Sequence, residues 1–252
     1  VTEALLQIEG LTRRFGGVVA VDGIDLDLAA GEFHAVIGPN GAGKTTLIGL
    51  VAGEISPQAG SIRFGGSDIT RSRVDRRSRL GLARSFQITS LFADFAVLDN
   101  VTLAVQAHAG HSFRFWKPAR RDTALREPGL AALAQVGLEA RAETRVDQLS
   151  HGEHRQLEIA VALATNPRLL LLDEPMAGLG PEESARMLDL LRRLKGEMTV
   201  LLIEHDMETV FALADRVTVL VYGRIIASGT PAAIKADAAV REAYLGEQNA
   251  HD

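Results

Sequence analysis

The stretch GPNGAGKTT, Gly38 to Thr46, follows the mostly apolar run EFHAVI (Glu32–Ile37) and precedes LIGLVAG. It fits the pattern GxxxxGK[ST] in the strand, loop and helix context that this pattern requires. Glycines let the backbone wrap a phosphate with its N–H groups, and the following helix start adds partial positive charge. Gly38, Pro39, Asn40, Gly41, Ala42, Gly43, Lys44, Thr45 and Thr46 are therefore candidate nucleotide contacts. Lys44 is placed for the β- and γ-phosphates, and the Thr45 hydroxyl for magnesium. An ordinary glycine-rich turn is the plain alternative, and it leaves the lysine and threonine unexplained.

Working outward, Val18–Leu28 alternates apolar and polar residues and reads as a strand, as does Glu32–Ile37. Lys44–Ala52 has helical spacing and stops at Gly53. Ser61–Phe64 is a short strand between glycines. From about Leu91 to Leu163 alanine and leucine recur at helical spacing, which predicts a helical insert. Three compact apolar runs follow, Arg168–Leu172, Thr199–Ile203 and Arg216–Val221, separated by the helical stretches Glu182–Lys195 and Met207–Ala214. Such alternation predicts a parallel sheet covered by helices. No internal repeat or low-complexity linker divides the chain.

Bulk properties bound the function. The 252 residues are 46% hydrophobic, enough for a substantial core, and contain no cysteine, which excludes a disulfide framework and a thiol nucleophile. A net charge of -5 argues against a surface built to neutralise nucleic-acid phosphates. The opening VTEALLQIEGLTRR has no basic leader and long apolar core, so no secretory signal is expected. No apolar run approaches the roughly 20 residues that cross a bilayer, so work at a membrane would need a spanning partner.

Other motifs gain weight beside the phosphate loop. RLLLLDEP (Arg168–Pro175) is an apolar strand ending in two carboxylates, at the end of a parallel strand where sites form. Asp173 can orient magnesium through water, and Glu174 can hold an attacking water as general base. In LLIEHDM, His205 follows another such strand, where a neutral imidazole can bond a γ-phosphate or position the water. Gln87 in ARSFQITSLF can ligate magnesium at the edge of the insert, against a plain solvent-facing role. Phe15 in RRFGG can stack on a base, against ordinary core packing.

LSHGEHRQLEIA (Leu149–Ala160) carries the S-x-x-E capping box at Ser150 and Glu153. The box leaves Gly152 unexplained, because glycine in a first turn is costly unless close backbone approach is wanted. A helix start bearing a glycine and a hydroxyl suits an anion.

With these motifs in order, GPNGAGKTT, Gln87, LSHGE, LLLLDEP and EHD, the chain resembles the ATP-binding subunits of ABC transporters from about Leu6 to Gly246. Within that family it is most similar to the LivG type of branched-chain amino acid importers, through RFGGVVAVDGIDL, ARSFQ, MAGLGPEE and AYLGE. The resemblance implies an α/β fold: a RecA-like P-loop NTPase core with a mostly parallel sheet, an N-terminal antiparallel β subdomain and a helical insert at about 88–165. All of it would lie in one nucleotide-binding domain, 1–252.

The resemblance also implies ATP and Mg2+ as cofactors. Phe15 would stack on adenine, Gln87 contact magnesium, Glu174 act as catalytic base and His205 as switch histidine. Ser150 and Gly152 would contact the γ-phosphate of ATP held by a second ABC ATPase subunit, in a head-to-tail homo- or heterodimer. Transmembrane permease subunits and, indirectly, a solute-binding protein are the implied partners, with no nucleic acid. The implied location is cytoplasmic, on the inner face of the cell membrane. Glu153 and His151 depart from the family's usual glutamine and glycine, and MAGLG lacks a common aspartate, so no catalytic role is carried to Gly180.

Two other readings stand beside transport. Soluble relatives serve nucleic-acid repair or protein assembly, although the short insert lacks the long heptads of the repair type. A small-molecule kinase would share the phosphate loop but not the signature or the switch histidine. Arg71–Arg84 is arginine-rich and reads as a solvated helix face rather than a lipid or nucleic-acid surface. HSFRFWKPARR (His111–Arg121) reads as an exposed loop near a membrane partner.

Overall fold

The computed structural model describes residues 4–85, 91–109 and 122–248. They fall into two compact units. The first comprises the chain up to Arg77, the strand end Leu171–Glu174, and everything from Arg192 onward.

In this first unit β1 (Ala4–Phe15) and β2 (Val18–Ala29) form an antiparallel hairpin closed by Phe15 opposite Val18. β3 (Phe33–Ile37) is fully buried and leads into α1 (Lys44–Ala52). β4 (Ala59–Phe64) and β5 (Ser67–Asp68) return to the hairpin, giving the antiparallel order β2-β1-β4-β5.

α1 ends as the glycine predicts, with Gly53 at φ 85 and its N–H on the carbonyls of Gly49 and Leu50. The carbonyls of that last turn also have an unexpected side-chain partner, shared with Gly53 at Leu50 and alone at Val51. Arg77, in α2 (Val74–Arg79), is only 1% exposed and donates to the carbonyls of Leu50 (2.8 Å), Val51 (2.7 Å), Ser72 (3.0 Å) and Thr70 (3.1 Å). Burial pushes its pKa down to about 10. The solvated-face reading of Arg71–Arg84 is thus corrected at this residue, while Arg71, Arg73, Arg76 and Arg79 are exposed.

The second unit covers Ser78–Leu170 and Pro175–Leu191. β6 (Leu82–Arg84) is followed by α3 (Val97–His108), α4 (Thr123–Val136) and α5 (His151–Leu163), which pack on one another. Two 3₁₀ turns, Glu139–Arg141 and Val146–Gln148, interrupt what the composition presents as one helical stretch. The chain leaves α5 through Arg168 and Leu169, whose N–H groups bond the Gly81 carbonyl.

That exit begins β7 (Leu169–Asp173), whose last residues return to the first unit. α6 (Pro181–Leu194) follows, then β8 (Thr199–Ile203), α7 (Met207–Leu213), β9 (Arg216–Val221) and β10 (Arg224–Gly229). In the first unit the main sheet runs β10-β9-β3-β8-β7. β3 pairs in parallel with both β8 and β9, Val36 opposite Ile203 and Ile37 opposite Val219, and β10 adds an antiparallel edge. β3, β7 and β8 are buried at every residue, as unbroken apolar runs in a parallel sheet should be. α8 (Pro231–Ala236) and α9 (Ala238–Gln248) complete the unit, with Ile234 and Val240 buried against Val217, Val219 and Val210. This is a P-loop NTPase fold with an antiparallel β layer and helices, as the sequence reading expects. Among the described residues, no helix is long and apolar enough to cross a membrane.

Candidate functional site

The loop between β3 and α1 is shaped by its glycines. A Cβ on Gly38 would run into the Leu220 carbonyl, and one on Gly43 into the Ala20 carbonyl; Gly43 also sits at φ 104. Only glycine lets β2, β9 and the loop approach this closely. Gly43 caps α1 without a side chain, and the first turn carries no acidic residue, so its amides and dipole face no protein carboxylate on that helix. Lys44 is buried and donates to the carbonyls of Gly38 (2.6 Å) and Pro39 (2.9 Å). Asn40, Gly41 and Thr45 are exposed, Thr46 is half-buried, and Ala42 is held by the Gly223 N–H on its carbonyl (2.9 Å).

Sheet order brings Asp173, Glu174 and His205 to the same edge. β3, β8 and β7 are neighbours and end in Gly38, in Glu204 and His205, and in Asp173 and Glu174. Asp173 is 4% exposed. Glu174 takes a left-handed φ of 49° and donates its N–H to the Ile203 carbonyl at 2.9 Å, which ties the ends of β7 and β8 together. His205 has an exposed ring, and its backbone N–H donates to Glu204 Oε2 at 3.1 Å. Glu204 is fully buried, a carboxylate at the sheet edge that the reading of EHD passes over in favour of its histidine. Its signal is an acid flanked by an apolar strand and a histidine.

Phe15 is 45% exposed at the hairpin end, with the Arg13 guanidinium 4.7 Å from its ring centroid. The ring is therefore outside the core, with a guanidinium over one of its faces. Gln87 and the aromatic-basic segment 111–121 lie outside the described residues.

In the second unit the capping box is present as the sequence predicts. Ser150 Oγ accepts from the Glu153 N–H (3.2 Å), and Glu153 Oε2 accepts from the Ser150 N–H (2.8 Å). Arg141 binds the same Glu153 through two nitrogens at 2.9 and 3.2 Å, and with the box holds its carboxyl below the usual range. Unforeseen is Glu183, in the first turn of α6. Its Oε1 accepts from Ser150 Oγ and from the Gly152 N–H, both at 3.0 Å, and its Oε2 from the Gly180 N–H at 3.4 Å. The amide of Gly152 and the hydroxyl of Ser150 hold this carboxyl below its ordinary range. A Cβ on Gly152 would lie 2.7 Å from Glu183 Cδ, so the close approach that this glycine permits is made here by a carboxylate. GPEE announces a helix start, but nothing local says which of its two acids turns toward a segment about thirty residues away.

The family model described as ABC transporter matches residues 21–177, and one described as Branched-chain amino acid ATP-binding cassette transporter matches 224–250. The high-affinity branched-chain amino acid transport ATP-binding protein BraF of Pseudomonas aeruginosa is 39% identical over 96% of this chain and 98% of its own. LivG of Escherichia coli, a protein of the same description, is 37% identical over 98% of this chain and 99% of its own. Among solved structures, the ADP conformation of an ATP-binding cassette of an ABC transporter aligns with a TM-score of 0.85 at 28% identity, covering 97% of this chain and all of that one.

Proposed function

From the premise that this chain belongs to the ABC transporter family as an ATP-binding subunit, we propose that it energises import of branched-chain or related amino acids by a head-to-tail dimer with two shared ATP sites. The observation that carries the mechanism is the single sheet edge at which the Gly38–Thr46 loop, Asp173, Glu174 and His205 all stand. The C-terminal match over β10, α8 and α9 supports the amino-acid class.

The loop amides and Lys44 would hold the β- and γ-phosphates, and Lys44 would exchange its present carbonyl partners for them. Phe15 would stack on the adenine. Thr45 and, through water, Asp173 would hold Mg2+, joined by Gln87. These hard oxygen donors suit that ion, and no group of three His, Asp or Glu among the described residues is assembled to bind a metal alone. Bound there, Mg2+ neutralises charge on the phosphates. Glu174 would take the proton of the attacking water, and His205 would orient that water or the γ-phosphate.

Ser150 and Gly152 of one subunit would meet the γ-phosphate on the other. Permease subunits would span the membrane, place the ATPase on the inner face, and receive solute from a binding protein. Phe92 and Phe95, 55% and 42% exposed and stacked with centroids 5.2 Å apart, support a protein contact in the helical unit. The decisive experiment is Glu174→Gln in the purified protein with MgATP. Turnover should fall by about a thousandfold or more while ATP binding persists; retained turnover would remove Glu174 as the base.

A further inference from the structure

Resting on the shared-site reading above, we propose that Glu183 occupies the seat of the partner subunit's γ-phosphate, so that the ATP dimer closes only when this carboxylate leaves.

Ser150 Oγ and the Gly152 N–H are the two donors that the signature offers to a phosphate, and Glu183 Oε1 takes both at 3.0 Å. A carboxylate oxygen and a phosphate oxygen ask for the same thing, an anionic acceptor site at a helix N-terminus. They cannot share it, since two anions on one pair of donors repel at contact distance. The seat is specific to this side chain. Glu182, its neighbour in the same first turn, is turned outward, 91% exposed and paired with Arg186. Gly152 makes the fit possible, because any Cβ there would strike the Glu183 carboxyl. The loop before α6 participates as well: Gly180 donates to Oε2, and Gly178 lies under His151 with its Cβ position 3.2 Å from Nε2. Glu183 thus joins the loop before α6 to the signature.

A carboxylate held this way biases the chain toward the separate subunit until a stronger, doubly charged anion arrives. Glu183→Ala empties the seat. Glu183→Gln keeps the shape and an acceptor oxygen but removes the charge, so its effect should fall between alanine and wild type. If Glu183 instead only props the signature in place, both variants would weaken closure.

The test measures dimer formation by light scattering against protein concentration, with MgATP and without nucleotide. The full-length chain carries Glu174→Gln so that bound ATP is not consumed, with Glu, Gln or Ala at 183. Loss of the contact at both sites should lower the ATP-dependent dimer dissociation constant by about tenfold to a hundredfold for alanine, with all forms monomeric without ATP. A dimer formed by the Glu183 form but no tighter, or weaker, in Glu183→Ala and Glu183→Gln would overturn the proposal alone. No ATP-dependent dimer in any form would overturn the shared-site reading and the proposal with it.

Discussion

Arg77→Met tests whether the buried guanidinium under the phosphate-loop helix is structural. The substitution removes donors to four carbonyls. Two of these, of Leu50 and Val51, are buried in the last turn of α1; Leu50 keeps the Gly53 N–H, so Val51 alone is left without a donor. A buried carbonyl left without a donor costs about 1–3 kcal/mol. Those of Ser72 and Thr70 are nearer solvent and can recruit water. The lost cation at a helix C-terminus adds up to about 1 kcal/mol. Against this, methionine no longer buries a charge whose pKa is already pushed down to about 10, which returns part of the loss. The net expectation is a destabilisation of about 2 kcal/mol. Urea unfolding followed by circular dichroism should then show a midpoint about 0.7 M lower, for a slope of about 3 kcal/mol per molar. ATP affinity should fall in parallel because α1 begins at Lys44. Lysine, a point charge without the planar fork, should land between the two. A midpoint within about 0.3 M of wild type would refute the assignment.

Phe15→Ala should weaken ATP binding by about tenfold in calorimetric titration, as loss of one aromatic face implies, whereas Phe15→Trp should preserve it; equal losses would point to the backbone of the hairpin end. Gly43→Ala should abolish nucleotide binding through its clash with Ala20, while the helical unit keeps its circular dichroism. His34 is fully buried, with Glu32 at 3.0 Å and Thr218 at 2.8 Å, and burial pushes its pKa below 6.5 despite the carboxylate. The unfolded chain therefore takes up this proton first, and stability should decline as pH falls below about 6.5. His34→Gln should flatten that decline. Burial alone would raise the Glu32 carboxyl, but hydrogen bonds from His34 and Arg216 hold it at about 2, so a further loss should set in below 4.5.

Elements whose signals are local were legible in the residues. α1, β8 and β9 run where the apolar spacing places them because glycines and polar residues bound each run sharply. β1 escapes such a reading: register shifts after Ile8 and Leu11 break its alternation, and Glu9 and Gly10 interrupt it with exposed residues. β10, RIIASG, is half-exposed on the sheet edge and has too few apolar residues to declare itself. In the site, the phosphate loop and capping box are contiguous and can be read directly. Arg77, Glu183 and His34 are different, because the partners that fix each include a distant segment. A string of arginines does not say which one turns inward, and PEE does not say which acid is taken.

The left-handed backbone at Glu174 sets two selections against each other. A non-glycine residue there costs about 1 kcal/mol or more, a cost that glycine would largely lift. A library of this gene screened for thermal survival alone should therefore drift toward glycine or asparagine at 174, and with Glu174 as the proposed base the winners would be sturdier proteins with greatly reduced turnover. Position 174 is thus a marker for which pressure a homologous lineage or an engineered variant has been under.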